Sequence, residues 1–376
     1  MSSIKLLLNP SQMITQLQSS IPVQRSIRLS LSLTGAAALA LSSAPFLPAV
    51  AKEESPPDDL MAIEVNLKDV VRFDWSLRGA TQGAGTPNQA GVGFFAPLSI
   101  QDNNVWFLDA QANANFADFD GYSSIINTDV AGVSLSTSTR LGYRWLNDDR
   151  SWMYGVNAGY DSRDMDTGNA DTGIKVTNKQ DVSFQQVAVS LEAVSNTWHF
   201  NAYALVPIGD TEKTLNNKYE GGALDTYGLD VGYQINPDVN ASFGYYYQRG
   251  DLDEADGSGI NGHLAYDLGN GLTFGANLSY DEAFDTRVSG NISYRFGNNN
   301  YATPSPKKEW KAPVIRALTE AVKHRDVRVH DGYSSASGCS PNGYGVSYIY
   351  CYTGGDPKTP FSACWGKGSA CVRPNS

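Results

Sequence analysis

WMYGVNAGYD, residues 152–161, decides the fold. Trp152, Tyr154, Val156, Ala158 and Tyr160 occupy one parity, and Met153, Gly155, Asn157, Gly159 and Asp161 the other. A period of two belongs to a strand with two unlike faces. The division returns at Val239, Ala241, Phe243, Tyr245 and Tyr247 against Asn240, Ser242, Gly244, Tyr246 and Gln248. It returns again at Leu272, Phe274, Ala276, Leu278 and Tyr280 against Thr273, Gly275, Asn277, Ser279 and Asp281, and over residues 287–296.

A soluble sandwich alternates as well, so the character of the polar face decides between water and lipid outside. That face is not the Lys/Glu/Thr mixture of a solvated sheet. It is Gly, Asn, Ser, Asp and Arg, groups that suit a crowded wet lumen. The apolar face carries Trp145, Trp152, Tyr160, Trp198 and Tyr294 near strand ends, where rings suit the two membrane interfaces. Twelve strands are predicted, starting near Val70, Val92, Asn104, Ala131, Ser151, Ser183, Thr197, Asp225, Val239, Gly259, Leu272 and Thr286. Their connections alternate long and short, as outside loops and periplasmic turns do in outer-membrane barrels. The expected fold is all-β: a twelve-stranded antiparallel transmembrane barrel of the outer membrane over residues 70–296. The parity of its strands turns Arg140, Arg144, Asn157, Asp161, Asp230, His263, Asp281, Arg287 and Arg295 to the lumen.

Composition agrees. The 376 residues are 41% apolar, 18% charged and 11% aromatic, with 36 Gly and 20 Tyr. A mean hydropathy of -0.32 and no mature apolar run near 18 to 20 residues exclude a polytopic helical membrane protein. Residues 1–51 hold Lys5, Arg25 and Arg28, no acid, an apolar run over 29–41 and Ala49-Val50-Ala51. That is the pattern of an export signal, with an organelle transit peptide as the rival reading. Residues 52–69 are then a periplasmic N-terminal segment. The formal charge of -11 becomes -14 once those three cations are removed, so nucleic acid is not an expected partner. Cys339, Cys351, Cys364 and Cys371 all lie in the last 38 residues. Export makes disulfides the default for them, their spacing matches no zinc pattern, and three pairings stay open.

Three stretches in order, GVGFFAPL (91–98), RLGYRW (140–145) and WMYGVNAGYD (152–161), resemble the β-domain of the intimin/invasin, or inverse autotransporter, family. The resemblance covers about residues 88–331. It implies a twelve-strand outer-membrane barrel whose C-terminal linker returns through the pore to display a passenger outside, with an adhesion role. The last strand ends in Tyr294-Arg295-Phe296, which resembles the aromatic signal read by barrel-assembly machinery, with Gly290 one place off the usual register and 80 residues following it. Family members continue into long arrays of immunoglobulin-like and lectin-like modules, whereas about 45 residues follow Asp331 here.

Residues 309–322 have helical spacing, with Val314, Ile315, Leu318 and Val322 on one stripe, and KHRDVRVHD (323–331) then alternates. Residues 297–376 hold 10 basic and 5 acidic side chains, while 52–296 hold 15 and 34. The expectation is a linker over 297–331 with a pore helix, its cations Arg316, Lys323, Arg325 and Arg328 facing an acidic lumen, and a disulfide-rich tail over 332–376. An amphipathic helix solvated in the periplasm is the alternative, and with it a passive porin.

No catalytic, cofactor or metal site is expected. HRD at 324–326 has Asp331 where a kinase loop needs Asn, and the four histidines, His199, His263, His324 and His330, form no H-E-x-x-H. The acidic stretch 161–173 lacks the alternating oxygen ligands of a calcium loop. Solvated surface acid is its simpler reading, and cation bridging to lipopolysaccharide the functional one. The expected partners are therefore outer-membrane lipid, lipopolysaccharide, assembly machinery and an unidentified surface ligand.

Overall fold

The computed structural model describes residues 66–170, 175–252, 255–296 and 312–333, with short strands at 348–350, 363–365 and 371–372. The expected signal at 1–51 lies outside the described residues. In chain order the strands are β1 (Asp74–Ala80), β2 (Asn88–Ile100), β3 (Asn104–Phe116), β4 (Thr128–Ala131), β5 (Val133–Leu146), β6 (Trp152–Ala170), β7 (Asp181–Ser195), β8 (Trp198–Ile208), β9 (Glu212–Thr214) and β10 (Tyr219–Ala223). They continue with β11 (Asp225–Asn236), β12 (Val239–Arg249), β13 (Gly257–Asp267), β14 (Leu272–Asp281), β15 (Asp285–Phe296) and β16 (Val329–Tyr333).

Twelve of these close into an antiparallel up-and-down barrel in the order β1, β2, β3, β5, β6, β7, β8, β11, β12, β13, β14, β15. The seam is β1 on β15, from Trp75 opposite Phe296 to Ala80 opposite Asn291. Closure leaves no sheet edge, the condition for a β-structure in hydrocarbon. Glycine admits close approach where the wall needs it. A Cβ on Gly142 would stand 2.3 Å from the Phe107 ring, and one on Gly244 would stand 2.0 Å from Asp230 Oδ1.

Parity sorts the faces. In β6 the side chains of Met153, Asn157 and Asp161 are buried inside, while Val156 and Tyr160 are exposed outside. Around the short-turn end the exterior rings Trp106, Tyr143, Trp145, Tyr154, Trp152, Phe200, Trp198 and Tyr233 touch in succession, and Trp75 stacks on Phe296. Above that girdle stands an apolar band that includes Phe243 at 57% and Leu191 at 57% exposure. A closed barrel with this outer surface is a bilayer-spanning one. Among the described residues no helix is long and apolar enough to cross a membrane.

The first strand begins at Asp74, not near Val70. Residues Leu67–Val70 form a single helical turn, α1, because the Asn66 carboxamide accepts from Lys68 N–H and Val71 N–H closes on Leu67 C=O. Leu67 and Val71 are thereby turned into an apolar layer at the short-turn end of the lumen, with Phe95, Phe107, Met153 and Val194. A second helix, α2 (Ala312–Ala317), brings Val314, Ala317 and Leu318 into the same layer. A matching layer at the long-loop end gathers Ile125, Met165, Phe184, Leu215, Val327 and Val329. The interior is thus apolar at both ends and ionic between them. The loops alternate long and short as expected, except that β14 and β15 are joined on the long-loop face by residues 282–284.

Candidate functional site: the occupied lumen

The lumen is occupied by the chain's own residues 312–328. The wall grips them mainly by their backbone. Arg140 is held bidentate by Asp161 at 2.6 and 2.7 Å and also donates to His324 C=O at 3.3 Å. Arg144 is held by Glu192 at 2.8 and 3.1 Å over the Phe107 ring, leaving Nη1 to donate to the carbonyls of Leu318 at 3.2 Å and Glu320 at 2.7 Å. Arg295 is anchored on Asp74 and donates to Thr319 C=O at 2.9 Å. Arg163 donates to Val327 C=O at 3.0 Å and Gly85 C=O at 2.6 Å. In three of these four cases a carboxylate of the barrel fixes the guanidinium, and a remaining N–H is aimed at the linker.

The linker's cations answer with their side chains. Arg316 meets Asp267 at 2.5 Å, Arg325 meets Asp109 at 2.7 Å, and Arg328 meets Asp281 at 3.3 Å. His324 Nε2 lies 2.5 Å from Asp230, its ring stacked on Tyr203. Asp109 also accepts from Val322 N–H at 2.9 Å. These contacts ascend the barrel, from Asp267 at the short-turn end of β13 to Asp281 at the long-loop end of β14. At that end residues 329–333 become β16, paired with β10 from Ala223 opposite Val329 to Tyr219 opposite Tyr333. On its other edge β16 donates from Val329 N–H to Gly85 C=O and from Asp331 N–H to Ile125 C=O. The Asp331 carboxylate accepts from the N–H groups of Asn127 at 2.9 Å and Thr128 at 2.6 Å.

The pore helix is shorter than its spacing predicts. It ends at Ala317, so that of the four cations only Arg316 lies on it; Lys323, Arg325 and Arg328 follow on a crossing segment without helix. Residues 309–311 lie outside the described residues. The carbonyls of 318 and 320 would serve the next helical turn, and Arg144 takes both. Arg295 takes that of 319. The chain instead tightens, with Leu318 N–H on Ile315 C=O and Thr319 N–H on Arg316 C=O.

Of the residues assigned to the lumen by parity, Arg140, Arg144, Asp161, Asp230, Asp281 and Arg295 meet the linker or hold a group that does. Asn157 is buried there with neither amide atom bonded. Arg287 stands at the long-loop rim over the Tyr122 ring. His263 lines a chamber beside the linker. Asp74, Asp109, Arg163 and Glu192 were not singled out by sequence, although they share the inward parity of their strands. Among the described residues no three His, Cys, Asp or Glu side chains are placed to hold a metal. Cys339 and Cys351 lie outside the described residues. Cys364 and Cys371 fall on β18 (Ala363–Trp365) and β19 (Cys371–Val372), opposite each other in register, with β17 (Tyr348–Tyr350) completing that sheet.

No family model and no curated protein matches this chain. Solved structures similar to it are membrane barrels. The outer membrane phospholipase A of Escherichia coli is 11% identical at a TM-score of 0.34, over 61% of this chain and 97% of its own. An outer membrane channel from Pseudomonas putida F1 is 13% identical at 0.38, over 65% and 100%. The β-domain of the Bordetella autotransporter BrkA is 15% identical at 0.33, over 59% and 97%.

Proposed function

We propose that this chain is an outer-membrane barrel of the inverse autotransporter kind, which anchors its own C-terminal tail and displays it at the cell surface. One observation carries the reading. The segment after the last strand climbs the lumen from the short-turn end and leaves among the long loops as β16. In an outer-membrane barrel the long loops face outward, so a chain that leaves there is delivered outside. The motifs at 91–98, 140–145 and 152–161 support the family placement. The tail from residue 332 is then a small surface module stapled by Cys339, Cys351, Cys364 and Cys371, with adhesion to an unidentified ligand as its role and no catalysis assigned. A passive porin would need an unobstructed lumen.

The cysteines supply the test, because the described barrel contains none. After mild reduction, a membrane-impermeant thiol reagent applied to intact cells labels the tail if it is displayed. Labelling that requires lysis of the outer membrane puts the tail in the periplasm and removes the display reading.

A further inference from the structure

Of the three ways to pair Cys339, Cys351, Cys364 and Cys371, the strand register of the tail favours one. β18 and β19 are adjacent and antiparallel, with Ala363 opposite Val372 and Cys364 opposite Cys371. Residues opposite each other in such a pair share a face of the sheet, and their Cα atoms stand about 4.5 Å apart in a non-hydrogen-bonded pair and about 5.5 Å apart in a hydrogen-bonded one. Both distances fall inside the roughly 4.4 to 6.8 Å that a disulfide spans. On its other edge β18 has Ile349 of β17 opposite Cys364, so Cys371 is the cysteine that the sheet brings to it. The sequence between them, WGKGSA (365–370), supplies two glycines for a reversal of the chain.

The sheet also needs such a bond. Its strands have three, three and two residues, too few to bury a core of their own, and a covalent tie between neighbours is how so small a unit keeps its register. We propose that Cys364 and Cys371 form a disulfide across β18 and β19, which leaves Cys339 and Cys351 to pair with each other. The two bonds follow one another along the chain without crossing. They enclose six and eleven residues respectively, and each forms without the other.

Formation is an exchange with a donor disulfide, the oxidised form of an envelope thiol oxidoreductase. One tail thiol, as its thiolate, attacks a donor sulfur and breaks the donor S–S bond; the second thiolate then displaces the donor from the mixed disulfide. The tail gives up two electrons and two protons, and the donor leaves as a dithiol. This pairing sharpens the stapled tail proposed above and rests on its export, but on neither side of the outer membrane in particular, since periplasm and cell surface are both oxidising. A different pairing would leave the display reading as it stands.

The test uses full-length protein from outer membranes, its free thiols blocked with N-ethylmaleimide during denaturation, digested with trypsin without reduction. Residues 329–358 hold both Cys339 and Cys351 with no Lys or Arg before Lys358, while Cys364 lies on 359–367 and Cys371 on 368–376. The proposed pairing gives 359–367 joined to 368–376, and 329–358 by itself with an internal bond. Either other pairing ties all three peptides into one species. That species, or four maleimide-blocked cysteines, overturns the proposal. Cys364→Ser should leave one blocked thiol, at Cys371, with the internal bond of 329–358 intact; a blocked thiol at Cys339 or Cys351 in that variant contradicts the proposal as well.

Discussion

On β5 to β7 the inward side chains are large, ionic and buried, while on β13 to β15 they are mostly small, polar and half exposed. Arg140, Arg144, Arg163, Asp161 and Gln186 stand on the first wall at 2% exposure or less; Asn261, Asn277, Ser279, Ser289 and Asn291 stand on the second. Both walls have the same period of two and belong to one closed sheet. The difference lies in reach. A guanidinium extends far enough from the strand to be fixed by a neighbouring carboxylate and still meet a peptide carbonyl near the barrel axis, whereas Asn and Ser end short of it. Long paired side chains make β5 to β7 the main seat for the linker, while on β13 to β15 only Asp267, Asp281 and Arg295, at the strand ends, reach it and the short side chains between them do not.

Breaking the seated wall has the largest expected effect. Asp161→Ala strands the Arg140 guanidinium inside the barrel and costs about 3 to 5 kcal/mol, read as a lower denaturant midpoint for unfolding from lipid vesicles. Gln186, which also donates to Asp161, loses the same partner. On the open wall the costly face is the outer one. Phe243, midway along β12, faces the surrounding lipid, and Phe243→Arg costs about 2 to 4 kcal/mol in the same assay.

Where the linker emerges beyond the membrane rim, the expected effect is a smaller one that depends on pH. Burial pushes the Asp331 carboxyl up to about 8, against the N–H donors of Asn127 and Thr128, which favour its ionised form. A carboxyl raised in the folded state contributes stability that is fully present below its unfolded pKa, near 3.9, and is lost as pH rises through the folded value. The protection of residues 123–128 against hydrogen exchange, corrected for the intrinsic pH dependence of amide exchange, should therefore fall between pH 5 and pH 9, and Asp331→Asn should flatten that fall. The smallest effect belongs to the inner face of the open wall. Ser279→Ala changes stability by less than about 0.5 kcal/mol; a cost near that of Asp161→Ala would mean that the two walls are not different in kind.

Much of this was legible in the sequence. All twelve strand starts fall within four residues of their expected positions, since alternation bounded by Gly, Asn and Asp is a local signal. The first start was displaced by a side-chain cap at Asn66, which a search for period two passes over. The inward parity of Arg140 and Asp161 was legible too. Their partners across the lumen were not, because the contact of Arg144 with Leu318 joins residues 174 apart in the chain. The early end of α2 has the same origin: its spacing is helical, and three carbonyls beyond it are claimed by arginines of the wall. Strand β16 was anticipated only as alternation in KHRDVRVHD, and β10, its partner, lies inside a segment read as loop.

The central claim is that the linker occupies the seated half of the lumen, and conductance tests it most directly. Full-length protein and a chain ending at Phe296, both verified as heat-modifiable barrels, are compared in planar bilayers under the same salt. Removing the linker opens the space beside Arg140, Arg144 and Arg163, so the truncated barrel should conduct several times more than the intact one. Equal conductance from the two would mean that residues 312–328 do not occupy the pore, and would contradict the account.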